Sequence, residues 1–413
     1  MKVLLSAYAC QPGQGSEPAV GWNVVQEVVK YHQVWVLTRL NNRPKIEAYL
    51  QQTPIPNLQF IYLDWFGWSN RWKPGEIGKG LRIHYYLWQI RAYLVARKLH
   101  QEIGFDLVHH LTYVQYSTPC FLTWLSLPLL WGPVGGGESA PASFWPTFSQ
   151  KAKTYEWLRD VSRWVGEIDP FVRMTARQSL LTLATTQDTA NRLQKIGAKR
   201  VEVYGQCALS ESEIKTWASL PAPPTQPIRF ISIGRLLHWK GFYLGVEAFA
   251  LARPPESEYW IVGDGPEREA LAAQVERLGI GASIKMLGKL SGPDLLAAMG
   301  NCHVLVHPSL HDSGGFVCIE AMAAARPVLC LDLGGPGMMV TEATGFKVPA
   351  LDPQQTVKAL AAAMTLLVQD PELRQRMGMA GQSRVREVYD WKVKGQFFAQ
   401  VYEELVQTGT EKH

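Results

Sequence analysis

Apolar positions along the first half of the chain come in short bursts separated by stretches of helical period. Val3 to Tyr8 is a mostly apolar run of the kind a strand buried on both faces requires, followed by a Gly/Pro/Ser loop, Gln11 to Pro18. A helical run from Ala19 to Tyr31 comes next. Further strands are predicted at Val34 to Thr38, Leu58 to Leu63 and Leu107 to His110, with a helix from Leu81 to His100. Strands alternating with helices predict a parallel sheet covered on both faces.

The pattern breaks at residues 208–227, where Ser219-Leu220-Pro221-Ala222-Pro223-Pro224-Thr225 reads as a linker. It then restarts. Strand Ile228 to Ile233 leads to a helix near Gly241 to Ala252, and strand Tyr259 to Val262 to a helix from Glu267 to Leu278. Ile284 to Leu287, Val304 to His307 and Val328 to Leu331 are further strands. The expectation is an α/β fold of two Rossmann-like domains, residues 1–207 and 228–390, facing a cleft at the carboxyl ends of their strands, where open α/β sheets bind ligands.

Length agrees with this division, since 413 residues exceed one ordinary core. Hydrophobic residues make up 47% and charged residues 19%, which excludes a disordered chain. The longest apolar stretch, Cys120 to Trp131, is interrupted by Thr123, Ser126 and Pro128, short of the roughly 20 residues a membrane span needs. Met1-Lys2-Val3-Leu4-Leu5 runs straight into a strand with no signal-peptide pattern. Six cysteines without a Cys-x-x-Cys spacing read as reduced thiols of a cytoplasmic protein. Net charge is +5, and residues 1–190 carry all of the excess, with 18 Lys and Arg against 13 Asp and Glu. That favours an anionic acceptor or an acidic membrane surface. No compact basic run points to nucleic acid.

The candidate chemistry sits at strand ends. Arg235 and Lys240, in Gly234-Arg235-Leu236-Leu237-His238-Trp239-Lys240-Gly241, follow a strand and precede a helix, so a diphosphate there meets two cations and a helix dipole. Gly263-Asp264-Gly265-Pro266 follows the next strand, and its glycines would allow close backbone approach to a nucleotide. In Asp312-Ser313-Gly314-Gly315-Phe316-Val317-Cys318-Ile319-Glu320, a carboxylate in a glycine loop precedes another on the following helix. Glu320 suits the paired hydroxyls of a ribose, and the helix start at Gly314, Gly315 and Phe316 points amides at phosphate or sugar oxygens.

In the first half, Gly13-x-Gly15-x-x-Pro18 lacks the third glycine of a dinucleotide fingerprint, and the second strand ends in Thr38-Arg39 without an acidic ribose reader. This argues against a dehydrogenase and leaves Gly15 as a candidate phosphate contact. His109 and His110, at a predicted strand end, offer one group for a sugar hydroxyl or a proton. Trp131-Gly132-Pro133-Val134-Gly135-Gly136-Gly137-Glu138 suits close ligand approach or a hinge. Trp65, Phe66, Trp68, Trp72, Tyr85, Tyr86 and Trp88, mixed with Arg71, Lys73, Lys79 and Arg82, could stack on sugars or sit at a membrane interface. No Asp-x-Asp and no His/Cys ligand spacing occurs, so no metal is expected.

Gly234-Arg235 with Lys240-Gly241, Gly263-x-Gly265-Pro266 and the acidic-x7-Glu segment ending Glu320-Ala321-Met322-Ala323 resemble the retaining glycosyltransferases of family 4, over about Ile228 to Lys347. The resemblance implies the GT-B fold, an acceptor-side first domain and a donor-binding second domain, with the last helix, within residues 391–413, crossing back onto the first. It implies a nucleoside-diphosphate sugar as donor and no cofactor. Arg235 and Lys240 would hold the diphosphate, Glu320 the ribose and Asp312 the transferred sugar. The acceptor would be a sugar, a lipid-linked glycan or a small metabolite, in glycan, polysaccharide or glycolipid assembly at the inner face of a membrane. Three features depart from the family pattern: Asp312 replaces Glu, Ala325 replaces a glycine, and Tyr204-Gly205-Gln206-Cys207 replaces an Asn-Gly loop. The rivals are a nucleotide-sugar epimerase of the same fold and a non-catalytic nucleotide-sugar binding protein.

Overall fold

The computed structural model describes residues 1–65, 67 and 81–410, the side chains of Arg82 and Thr410 excepted. By contacts it forms two compact units. The first holds Met1–Gly137, Arg159–Gln206 and the chain from Trp391 on; the second holds Glu138–Leu158 and Cys207–Asp390.

The first unit is built on seven parallel strands: β1 (Lys2–Ala7), β2 (Gln33–Arg39), β3 (Leu58–Leu63), β4 (Leu107–Thr112), β5 (Leu129–Val134), β6 (Leu181–Ala184) and β7 (Val201–Val203). Their spatial order is β3-β2-β1-β4-β5-β6-β7, so the winding reverses between β1 and β4. β4 and β5 are buried at every position, as central strands covered on both faces must be. One core packs Leu4, Tyr8, Trp88 and Val108, and a second packs Tyr116, Trp131, Val172 and Leu193.

The predicted loop from Trp131 to Glu138 is corrected in its first half, because Trp131 to Val134 belong to β5. Gly132 is needed there: at φ 128° a Cβ would lie 2.3 Å from the Leu183 carbonyl oxygen of β6. The helix Trp391–Thr410 packs on the helix Glu17–Val28, where a Cβ on Gly395 would fall 2.5 Å from Cβ of Glu27. The segment Tyr204-Gly205 ties down this last helix. The Tyr204 ring stacks on Phe397 at 4.0 Å, and Lys394 Nζ donates to the Gly205 carbonyl at 2.6 Å.

Of the aromatic–basic segment, Phe66, Trp68, Arg71, Trp72, Lys73 and Lys79 lie outside the described residues. Tyr85 and Trp88 are fully buried and belong to the core, so neither stacks on a ligand at the surface.

The second unit holds β8 (Ile228–Ile233), β9 (Ser257–Val262), β10 (Ile284–Gly288), β11 (Val304–His307), β12 (Val328–Leu331) and β13 (Gly345–Val348). The order β10-β9-β8-β11-β12-β13 reverses between β8 and β11, the switch point that opens a crevice at the strand ends. The predicted linker is corrected over its first half. Glu211–Ala218 is a helix, capped reciprocally by Ser210 and Glu213, and it buries Ile214 and Trp217 against Ile319 and Met322. All six cysteines are buried. No described helix is long and apolar enough to cross a membrane.

Candidate functional site

The site of the second unit is assembled by the loops after β8, β11 and β12. Gly241 caps the helix Phe242–Ala252 from the left-handed region, at φ 65°. A Cβ there would lie 2.0 Å from the Pro308 carbonyl oxygen, so only glycine lets the loop after β8 rest on the loop after β11. The Leu310 amide donates to the Trp239 carbonyl at 2.7 Å and fixes the two loops together.

This seam brings Lys240 onto Asp312, whose Oδ2 accepts from the lysine ammonium. His307 Nε2 lies 3.3 Å from the same oxygen. Burial alone would raise the Asp312 carboxyl, but the Lys240 ammonium and the His307 bond outweigh it and hold the group well below the usual carboxylate range. Burial lowers the His307 imidazole, with Asp312 opposing. The loop after β12 supports the acid from behind, the Gly335 amide donating to the Asp312 carbonyl at 2.7 Å.

Gly315, at φ 147°, caps the helix Phe316–Ala323, and Phe316 is its first residue. Glu320 lies in the second turn, partly buried, and its carboxylate has no hydrogen-bond partner among the described residues. Burial, with a smaller contribution from Glu213, raises it to about 7. A carboxyl poised near neutrality and open to a ligand can accept from hydroxyls once ionised. The Arg235 side chain is exposed and forms no ion pair among the described residues.

Gly263 and Gly265 serve a different closeness from the one expected. A Cβ at Gly263 would sit 1.8 Å from the Gly234 carbonyl oxygen, and one at Gly265 2.5 Å from that of Leu236. Both glycines therefore seat the loop after β9 on the loop after β8.

Sequence reasoning missed the polar supports around this seam. Glu156 Oε1 accepts from His238 Nε2 at 2.8 Å and from His311 Nε2 at 3.1 Å, flanking Lys240 and Asp312 in sequence. Ser313 donates to the buried carboxylate of Glu138. The glycine-rich loop ending in Glu138 hinted at this contact, whereas nothing local marks Glu156.

In the first unit, His109 and His110 lie inside β4, not beyond its end, and both are fully buried. His109 bonds Tyr402 Oη through Nδ1 and the Gly132 carbonyl through Nε2, each at 2.6 Å. His110 bonds Ser6 Oγ at 3.0 Å and Tyr85 Oη at 2.8 Å. Burial lowers them to about 4 and about 3. Both rings spend their nitrogens on the fold, which corrects the strand-end placement that made them candidates. Gly15 lies in the loop after β1, and a Cβ there would meet nothing within 4 Å.

Two parallel doubly wound sheets, with a lysine, an acid and a carboxylate-bearing helix at the second switch point, define a protein of the GT-B class. Residues 214–384 match the family model described as Glycosyl transferases group 1. Glycogen synthase of Mycobacterium tuberculosis is 30% identical over 183 residues, 44% of this chain and 43% of that protein; less than half of that relative is matched. Alpha-D-kanosaminyltransferase of Streptomyces kanamyceticus is 28% identical over 383 residues, 89% of this chain and 91% of that one. Among solved structures, sucrose-phosphate synthase from Thermosynechococcus elongatus has a TM-score of 0.65 at 19% identity, covering 98% of this chain and 99% of that chain. Anabaena Alr3699/HepE, solved with UDP and glucose, has a TM-score of 0.58 at 18% identity, covering 98% and 100%. At these identities the likeness to the solved structures is one of fold.

Proposed function

We propose that the chain transfers a hexose from a nucleoside-diphosphate sugar to an acceptor hydroxyl, with retention at the anomeric carbon. The observation that carries this reading is the Lys240–Asp312 pair at the β8/β11 switch point, with Asp312 four positions before the helix start at Phe316 and eight before Glu320. The second unit holds the donor and the first the acceptor, a sugar, a lipid-linked glycan or a small metabolite.

The chemistry follows from charge. As the bond from the anomeric carbon to the phosphate oxygen breaks, negative charge builds on the diphosphate. Lys240, Arg235 and the amides at Gly314 to Phe316 would stabilise it. In the ligand-free chain Lys240 is neutralised by Asp312, and the diphosphate competes for it. That exchange frees Asp312 to accept from a hydroxyl of the transferred sugar. Glu320 accepts from the ribose hydroxyls. The acceptor oxygen bonds the anomeric carbon on the face the phosphate leaves, and its proton passes to the departing phosphate oxygen. No metal is assigned to the step. His109 and His110 are given no part in it, because their nitrogens are committed within β4.

The test is release of nucleoside diphosphate from UDP-, GDP- and ADP-hexoses, with and without glycan or glycolipid acceptors, followed by proton NMR of the product. Acceptor-dependent release with the donor's anomeric configuration kept is the expected result. Donor consumption without any acceptor would indicate an epimerase, and binding without turnover a nucleotide-sugar binding protein.

A further inference from the structure

The helix Gln150–Ile168 is inside out. Its buried face carries Glu156, Arg163 and Glu167, spaced so that they line one side. Each is held by the fold: Glu156 by His238 and His311, Arg163 by the Gly136 carbonyl, Glu167 by Arg192, Lys195 and Tyr116. The opposite face carries Trp157, Leu158, Val161, Trp164, Val165 and Ile168, all exposed. Trp157 is 58% exposed and Trp164 60%. An ordinary surface helix has the reverse arrangement. The inward polar contacts hold this rotation of the helix in place, so the apolar stripe does not turn in.

The stripe runs for about 17 Å along the helix at 1.5 Å per residue. Phe171, on the next helix, and Trp124, whose rings are 6.0 Å apart, are also exposed. The charges around it are mostly basic. Residues 150–178 hold six basic and four acidic side chains; Glu156, Arg163 and Glu167 are turned inward, which leaves five basic side chains against Asp160 and Asp169. Lys151, Arg173 and Arg177 are exposed.

We propose that the outer face of Gln150–Ile168 docks the protein on an anionic lipid surface, the helix lying in the interfacial plane with both tryptophans at the headgroup level. Three observations favour lipid over a second copy of this chain. Tryptophan is the ring suited to a boundary that is apolar on one side and wet on the other. A continuous single stripe on one helix is the geometry of interfacial insertion. The basic surplus around it complements anionic headgroups and would repel a second copy approaching through the same face. The proposal rests on this helix alone and stands or falls separately from the donor chemistry.

The test is flotation of the full chain with vesicles of phosphatidylglycerol and phosphatidylcholine in equal parts, and with phosphatidylcholine alone, at low and high salt. Sedimentation velocity of the same samples without lipid runs alongside. Binding to the anionic vesicles is expected, weakened at least about fivefold by high salt and abolished by Trp164→Ser with Val165→Ser and Ile168→Ser. The melting temperature should be unchanged, because all three side chains face solvent. If the triple variant unfolds, Trp157→Ser with Trp164→Ser gives the same reading. Failure of the wild type to float on anionic vesicles at low salt overturns the proposal. So does flotation that survives the substitutions, which would place the contact elsewhere. A dimer that the substitutions dissociate, with no vesicle binding, assigns the stripe to a second copy and equally overturns it.

Discussion

Lys240 and Asp312, 72 positions apart in sequence, neutralise one another at the switch point of the second sheet. Gly241, next to the lysine, makes the pairing possible by letting its loop touch the backbone at Pro308. Under the proposed function the pair would lie where a leaving diphosphate needs a cation, and the acid would be released when the lysine is taken.

Lys240→Ala and Arg235→Ala are each expected to lower kcat/KM at least about tenfold, since contacts to charge developing in a transition state contribute on the order of 2–4 kcal/mol. Steady-state kinetics with the active donor checks this. Near-wild-type values for both variants would remove the two cations from the leaving-group site.

Gly241→Ala is expected to destabilise the second unit by about 2–3 kcal/mol, combining a left-handed backbone position with a clash against a carbonyl that has nowhere to move. Urea unfolding gives the measurement. A midpoint within error of wild type would show that the two loops can separate without cost.

Strands were the most legible part of the fold. Leu58–Leu63, Ile228–Ile233, Val304–His307 and Val328–Leu331 match their predicted bounds, because short, mostly apolar runs of strand length leave little else to form. β5 was not legible, since Gly132-Pro133 in its middle reads as a turn, and only the neighbouring carbonyl of β6 explains the glycine. The helix Glu211–Ala218 hid behind a polar surface with two apolar anchors. In the candidate site, the meeting of Lys240 and Asp312 joins two residues that the sequence marks by loop position and charge. Glu156 is not so marked, because its meaning lies in two histidines more than eighty positions away.

Ala325 illustrates a departure whose meaning required the backbone. It stands at φ 55°, in the region that favours glycine. Its side chain is therefore a strain and more than a change in packing. Ala325→Gly is expected to stabilise the chain by on the order of 1 kcal/mol, the relief of the left-handed position exceeding the entropy added to the unfolded chain. Thermal unfolding would register this as a higher midpoint, and a lower one would show that the Ala325 methyl contributes packing that outweighs the strain.

Turnover is expected to persist in EDTA. The leaving-group charge is assigned to Lys240, Arg235 and backbone amides, and among the described residues no group of three or more His, Cys, Asp or Glu side chains is arranged to hold a metal ion. Complete loss in EDTA, restored by magnesium or manganese, would contradict the assignment.

Glu320 links stability and donor binding to pH in opposite senses. Burial raises its carboxyl from an ordinary 4.5 to about 7 in the folded chain. Below pH 4.5 the group is protonated in both states and burial carries no charge penalty. Between 4.5 and 7 the unfolded chain gives up its proton first, so the folded state binds more protons and stability falls as pH rises. Above 7 the penalty is complete and flat. Its size is on the order of 1–3 kcal/mol, reduced by the partial exposure of the side chain. Under the proposed function, however, the ionised form is the one that would accept from ribose hydroxyls. Donor affinity should therefore strengthen as pH rises through 7 while the melting temperature declines. Glu320→Gln should flatten both profiles: its melting temperature should vary less between pH 5 and 8, and its donor affinity should be weak and insensitive to pH. Calorimetric titration and thermal melts across that range supply the measurements. A Glu320→Gln variant whose donor affinity still rises with pH as in the wild type would place the ribose on another acceptor.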